Sequence, residues 1–178
     1  MSNLIVFVLI VLLTITTSLA QTSKTKQSIE IATVCDVITN RSFYNTKVIA
    51  VIGGWSATDE GVWLADDCKN EIKTGDYVWE NSVWLEYAPS SITALSGKMK
   101  LDKSAVNKKI AEMKSRMKPT NEKIQWVVVY GRVEAQEELQ TAYAGDGKSL
   151  YPAGYGHLNG APAQVVYQQK DLKHLPNR

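Results

Sequence analysis

The sequence is poor in cysteine, histidine and phenylalanine, with two of each among its 178 residues. Neither a close Cys-x-x-Cys pair nor a histidine beside a cysteine is present, which argues against a cysteine-based metal site. Internal repeats and low-complexity runs are also missing. Since no phosphate loop, zinc-binding helix, dinucleotide fingerprint or serine elbow occurs, none of the enzyme classes that these motifs define is indicated.

What is present is the composition of a folded domain. Apolar residues make up 44% and charged residues 21% of the chain, fractions that exclude disorder, collagen and coiled coil as the main state. The net charge of +2 steers no partner by itself. The length allows one domain. Five Trp and eight Tyr suit surfaces and grooves as well as cores, because both side chains carry a polar group.

The first twenty residues differ from the rest because they carry no charge. Residues 4–19 form one apolar run that leads to Ser18 and Ala20, small residues at the two positions a signal peptidase reads. We predict a signal peptide over 1–20 and a secreted or periplasmic chain that begins at Gln21. The alternative is an uncleaved membrane anchor, but a spanning helix needs about 20 apolar residues and this run has 16.

An exported location changes the interpretation of Cys35 and Cys68. In an oxidising compartment, two cysteines and no others favour one disulfide. It would close a loop of 33 residues and contribute about 3 to 4 kcal/mol. The alternatives are a metal pair, for which the spacing is unsuitable, and a reactive thiol, which would need His157 or His174 as its base.

Apolar periodicity predicts a mainly β chain with one or two helices. The predicted elements are a helical segment over 30–39, strands over 47–55, 62–65 and 82–88, a helix over 104–117, and strands over 123–134 and 163–167. The helix over 104–117 is the clearest, since Val106, Ile110 and Met113 form one apolar stripe. Asp102 or Ser104 can cap its start, and Pro119 ends it. A glycine-rich loop is predicted over 144–160.

This element order is that of the OB-fold, a five-stranded Greek-key barrel with its helix between strands 3 and 4. Gly53 and Gly54 would supply the bend or bulge that the first strand of a small barrel requires. A generic α+β sandwich fits the same order. The predicted organisation is a flexible leader over 21–29, an OB-like domain over 30–170 and a loose tail over 171–178.

Several short motifs are distinctive. They are VCDV over 34–37, YNTKV over 44–48, TDEGVWL over 58–64, DC at 67–68, YGHLN over 155–159 and PAQ over 162–164. In these motifs the chain resembles small exported bacterial proteins of uncharacterised function with an OB-like barrel, and the similarity covers most of residues 30–170. The resemblance implies this fold and an exported location, and it carries over no active site.

His157 is the most suggestive single residue, because the glycines around it let a backbone approach closely. It would serve as a base only if Tyr155 or an acid such as Asp66 converged on it. The simpler interpretation is a histidine that holds its loop in place by hydrogen bonds.

Tryptophans that share an exposed face would stack on sugar rings or peptide, and otherwise they fill the core. We predict four ligand-contact residues: His157, Tyr155, Trp63 and Trp84.

The charges are unevenly distributed along the chain. Residues 98–123 contain nine Lys and Arg against three acids, whereas residues 57–90 contain eight acids against two Lys. The tryptophans at 63, 79 and 84 lie in the acidic block, which disfavours nucleic acid as a partner.

Asp59–Glu60 and Asp66–Asp67 lack the alternating spacing of a calcium loop. Arg132 and Glu134 are predicted to share one face of a strand, but the other arginines, Arg41, Arg116 and Arg178, are too scattered along the chain for a nuclease. We therefore predict no metal and no cofactor.

The function that these features favour is an exported, non-catalytic binding or interaction module. Its ligand would be a small molecule, a glycan or a peptide, and no catalytic residue is assigned. One alternative is a hydrolase that uses His157 with nearby acids. The other is a membrane-anchored envelope structural protein, in which residues 4–19 form the membrane helix.

Overall fold

A computed structural model describes residues 27–89, 99–117, 124–143 and 149–176. The predicted signal peptide, most of the predicted leader, residues 144–148 of the predicted glycine-rich loop, and Pro119 lie outside these residues. Within the described ranges, no helix has the length and the apolar character needed to cross a membrane.

The described chain is mainly β, as predicted. Its strands are β1 (Gln27–Ser28), β2 (Ile31–Thr33), β3 (Val48–Thr58), β4 (Gly61–Ala65), β5 (Lys73–Thr74), β6 (Tyr77–Val78), β7 (Ser82–Tyr87), β8 (Met99–Lys100), β9 (Trp126–Ala135), β10 (Thr141–Tyr143), β11 (Leu150–Pro152) and β12 (Ala163–His174). Its helices are α1 (Val34–Thr39), α2 (Arg41–Tyr44) and α3 (Lys103–Arg116).

Six strands form the main sheet in the order β2-β3-β4-β7-β12-β9, and β3 also pairs with β9. The pairings therefore lead from β3 through four further strands back to β3. β7 runs parallel to β12, and β2 runs parallel to β3. The other pairings in this sheet are antiparallel.

β3 is the strand that joins the two ends of this series. Its apolar, β-branched residues favour an extended backbone buried on both faces, and Ile49–Ile52 are almost inaccessible. Pairing with β9 continues in register through Gly53 and Gly54, so no bulge interrupts β3 there. A Cβ on Gly53 would lie 2.7 Å from the Cβ of Leu64. Glycine at this position is therefore explained by the close approach of β4.

Two hydrophobic clusters lie on opposite faces of the sheet. The first contains Val51, Val129 and Val165 together with Val34 and Ile38 of α1. Thr33 and Asp36 form a capping box that begins α1 at this cluster. The second cluster lies beneath α3 and contains the alternate residues of β3 and β9, Ala50, Ile52, Val128 and Tyr130.

α3 begins and packs as its sequence pattern predicts. The Asp102 side chain accepts hydrogen bonds from the backbone N–H groups of Ser104 and Ala105, so Asp102 is the N-cap. Val106 and Met113 are buried in the second cluster. Beside the stripe, Lys109 donates to Asp36 of α1 at 2.8 Å. Part of the basic block thus makes internal ion pairs.

The largest departure from the predicted elements is at the C-terminal side. β12 continues to His174, and Asp171 is buried, instead of a loose tail beginning at that residue. After a register shift, Leu172–His174 pair with Val127–Val129 of β9. Within the predicted glycine-rich loop, β11 pairs with β10. Near the N-terminus, β1 pairs with β8 and Ile29 is buried, so the end of the predicted leader is part of the fold.

The predicted disulfide is confirmed. Cys35 of α1 is bonded to Cys68, which follows β4, and the two Cα atoms lie 5.5 Å apart. The side chain of Asp66, two residues earlier, is fully buried and lies 2.6 Å from the guanidinium of Arg116 in the last turn of α3. The disulfide and this ion pair hold α1, the end of β4 and α3 together.

Candidate functional site

A small pocket of about 70 Å³ opens beside the face of β4 and β7 that points away from the core. Its aromatic and titratable lining residues are Glu60, Trp63, Glu80, Trp84, Tyr155 and His157. The structure therefore brings all four predicted ligand-contact residues to one pocket. They come from three separate parts of the chain: β4, β7 and the segment that leads into β12.

Trp63 and Trp84 form the floor of this site as a cross-strand pair. They are directly opposite each other in the register of β4 and β7. Their ring centroids lie 6.1 Å apart and their planes differ by 11°. Both side chains are half-buried. Neighbouring side chains on adjacent strands interact in this way, and the pair offers indole surface to a ligand.

Two glycines press against Trp84. A Cβ on Gly61 would lie 2.1 Å from the ring atom Cη2, and a Cβ on Gly156 would lie 2.6 Å from Cε3. Both residues have positive φ angles, 148° and 86°, a conformation that favours glycine. These glycines therefore fix where the indole of Trp84 lies and how closely residues 155–160 approach it.

Residues 154–161 form a tight loop that presents His157. Tyr155 and Ala161 exchange backbone hydrogen bonds of 2.8 and 3.2 Å, and the Asn159 N–H donates to the Gly156 carbonyl at 3.1 Å. His157 and Leu158 lie at the tip of the resulting turn and are exposed. Burial and, to a smaller extent, the charge of Glu134 raise the pKa of Tyr155 at the base of this loop.

Within the described part of the chain, the acid that lies within ion-pair distance of His157 is Glu60. Its Oε1 is 4.0 Å from His157 Nε2, and both side chains are more than half exposed. Asp66, an acid considered from the sequence, is instead bonded to Arg116 and lies within 4.8 Å of both disulfide sulfurs. Burial raises the pKa of Asp66, while the hydrogen bond from Arg116 acts in the opposite direction.

Glu80 and Leu158 are lining residues that the sequence analysis did not identify. Glu80 Oε2 accepts a hydrogen bond from Ser82 Oγ at 3.0 Å. A Cβ on Gly160 would lie 2.8 Å from the other carboxylate oxygen of Glu80, so this glycine leaves space for the acid. Leu158 is 68% exposed. The acidic block over 57–90 was the only sequence signal for Glu80, and it did not indicate which acid meets the loop.

A row of side chains extends the site across the sheet. Trp84 is opposite Gln164 of β12, which in turn is opposite Glu134 of β9. Gln164 Nε2 donates to Glu134 Oε2 at 2.7 Å, and Arg132 pairs with Glu134 at 2.5 Å. Arg132 and Glu134 do share one face of a strand, as predicted, and they neutralise each other there.

The other tryptophans have mainly structural positions. Trp79 and Trp126 are buried, at 2% and 4% exposure, and Trp79 Nε1 donates to Thr74 Oγ1. Trp55 is half-buried and its ring meets His174 edge-on. The chain therefore uses its tryptophans in both of the ways considered from the sequence, as core residues and as a half-exposed pair.

Two further features bear on alternative sites. Among the described residues, Cys35, Asp66 and Cys68 are grouped closely enough to ligate a metal, but the two sulfurs are bonded to each other. A larger cavity of about 410 Å³ lies along α3, lined mainly by apolar side chains such as Ile110 and Trp126. None of the four predicted contact residues lines it.

No protein-family model, curated protein or solved structure matches the chain.

Proposed function

We propose that the chain is an exported OB-like barrel whose β4–β7 face binds a ligand without catalysis. In this interpretation β3, β4, β7, β9 and β12 are barrel strands 1 to 5. The return of the pairings to β3, the parallel β7–β12 pair and the position of α3 between β7 and β9 support it. OB-folds bind ligands at strands 2 and 3 and at the loops after strands 1 and 4.

The observation that carries this proposal is the convergence of the pocket residues at that location. Trp63 and Trp84 lie on proposed strands 2 and 3, Glu60 follows strand 1, and His157 follows strand 4. Aromatic pairs with a few convergent polar groups are typical of binding sites. Because Glu60 and Glu80 would repel phosphate groups, the ligand face is suited to neutral or cationic ligands and not to nucleic acid.

Trp63→Ala is expected to abolish most of the binding. The test is a screen of the chain from Gln21 onward against an immobilised glycan array and a peptide library, followed by affinity measurement of any binder. Loss of a central aromatic contact costs about 2 kcal/mol, or about 30-fold in Kd. Tyr143→Ala is the matched control, since Tyr143 is an exposed aromatic outside the pocket.

Two outcomes of this screen would contradict the proposal. Binders that are insensitive to Trp63→Ala would place the ligand site elsewhere. Hydrolysis of a bound glycan or peptide that is lost in His157→Ala would favour the hydrolase alternative, in which Glu60 is the neighbouring acid. We expect binding without hydrolysis of the ligand, both in the unmodified protein and in His157→Ala.

We further propose an exported location, since a disulfide persists in oxidising compartments. The resemblance to small exported bacterial proteins supports the same location. Mass measurement of the protein recovered after expression with residues 1–20 is expected to give a chain that begins at Gln21. An intact chain that sediments with membranes would instead support the membrane-anchored alternative.

A further inference from the structure

We propose that the pocket between Trp84 and the 155–160 loop takes the guanidinium group of an arginine side chain in a peptide ligand. This inference rests on the proposed binding function and specifies its ligand class. It depends on three properties of the pocket: its size, the charge of its lining and the chemistry of its walls.

The size of the pocket favours a small planar group. Its volume of about 70 Å³ is about a sixth of the 410 Å³ of the cavity along α3. A group at the end of a side chain, such as guanidinium, needs less room than a pyranose ring with its hydroxyl groups. The inner part of the site is therefore suited to the end of a side chain.

The charge of the lining favours a cation. Glu60 and Glu80 both line the pocket, and within the described residues no lysine or arginine does so. The Glu80 carboxylate accepts the hydrogen bond from Ser82 Oγ, and the Glu80 backbone N–H donates to the Gly160 carbonyl at 3.4 Å, so this acid is held in position. Carboxylates form the strongest hydrogen bonds that a protein offers to guanidinium, and the planar guanidinium group can use two of its N–H groups at once.

The aromatic walls favour guanidinium over a compact ammonium group. Trp63, Trp84 and Tyr155 present ring faces or edges to the same small space. Arginine stacks on aromatic faces as a planar group and is more weakly hydrated than lysine, so it loses less on leaving water. Leu158, exposed beside the pocket, can cover the apolar stem of the arginine side chain.

The test compares peptides that differ only in one charge. Acetyl-Gly-Arg-Gly-amide and the same peptide with citrulline, a neutral isostere, are titrated into the chain from Gln21 onward, and tryptophan fluorescence is followed. The arginine peptide is expected to bind at least 10-fold more tightly than the citrulline peptide. The lysine peptide should be weaker than the arginine peptide, and binding of both cations should weaken as salt is raised.

Protein variants locate the binding. Glu60→Gln and Glu80→Gln should each weaken binding of the arginine peptide about 5- to 10-fold and leave binding of the citrulline peptide unchanged. Glu138→Gln is the matched control, because Glu138 is exposed and outside the pocket. Thermal melts of all three variants should agree with the unmodified protein, which confirms that the losses do not come from unfolding.

The failure of this inference differs from the failure of the proposed function. Equal affinity for the arginine and citrulline peptides, or insensitivity to both Glu→Gln changes, overturns the arginine assignment. If an N-acetylglucosamine trimer binds in a Trp63-dependent manner while the arginine peptide does not, the inference is wrong and the binding function stands. If no glycan or peptide binds in a Trp63-dependent manner, both are wrong.

Discussion

Replacing Cys35 and Cys68 together by alanine will lower the free energy of unfolding by about 3 to 4 kcal/mol, because the disulfide closes a loop of 33 residues. The bond joins α1, which packs into the first core cluster, to the segment after β4. Without it, the unfolded chain gains conformational freedom that the folded chain does not share. For a domain of this length, the loss corresponds to a fall in Tm of roughly 10 °C.

Reduction provides an internal control for this prediction. Thermal unfolding of the unmodified protein in excess dithiothreitol should give a Tm close to that of the double variant, and the double variant should not respond to the reductant. A double variant whose Tm stays within 2 °C or so of the oxidised protein would show that the disulfide is not a main source of stability.

Asp66→Ala is expected to destabilise the protein by about 3 kcal/mol, the lower end of the cost of breaking a buried ion pair. The Asp66 side chain is fully buried, and that of its partner Arg116 is only 18% exposed. Alanine would leave this guanidinium without its carboxylate. It would also remove the acceptor for the backbone N–H groups of Asp67 and Cys35. Because Arg116 keeps 18% exposure, solvent can partly stabilise its unpaired charge, and we therefore expect the lower end of the range.

Two comparisons test this explanation of the Asp66→Ala loss. The double variant Asp66→Ala, Arg116→Ala should be less destabilised than the sum of the two single changes, since removing both partners leaves no buried charge. Glu71→Ala removes one partner of the exposed Glu71–Lys73 pair and should leave the Tm unchanged. Denaturant unfolding measures all of these values. A loss below about 1 kcal/mol for Asp66→Ala would mean that solvent already screens this pair.

The parts of the fold that the sequence predicted are those with strong local signals. The β-branched run of β3, the apolar stripe of α3 and the two cysteines each indicate their structure without reference to distant residues. The errors lie where structure depends on partners. Lys173 and His174 are polar and give no strand pattern, yet they extend β12 because β9 is long enough to pair with them. β1 and β11 are likewise short strands stabilised by pairing.

The candidate site shows the same division. Trp63 and Trp84 alternate with Leu64, Val83 and Leu85, which are buried, so the strand period places the two tryptophans on the opposite face. Their direct opposition depends on the β4–β7 register. Glu80 reaches the pocket because the 155–160 loop returns over the sheet. No local pattern in the sequence specifies that return.

The most direct test of the binding site is a ¹⁵N NMR titration that follows the indole N–H signals of the five tryptophans as a binder from the glycan or peptide screen is added. The account predicts that the signals of Trp63 and Trp84 shift with the same saturation curve as the backbone signals of residues 155–160. The signals of Trp55 and Trp126, which lie outside the pocket, should stay in place. Shifts confined to Trp126 and α3, with Trp63 and Trp84 unmoved, would contradict the account.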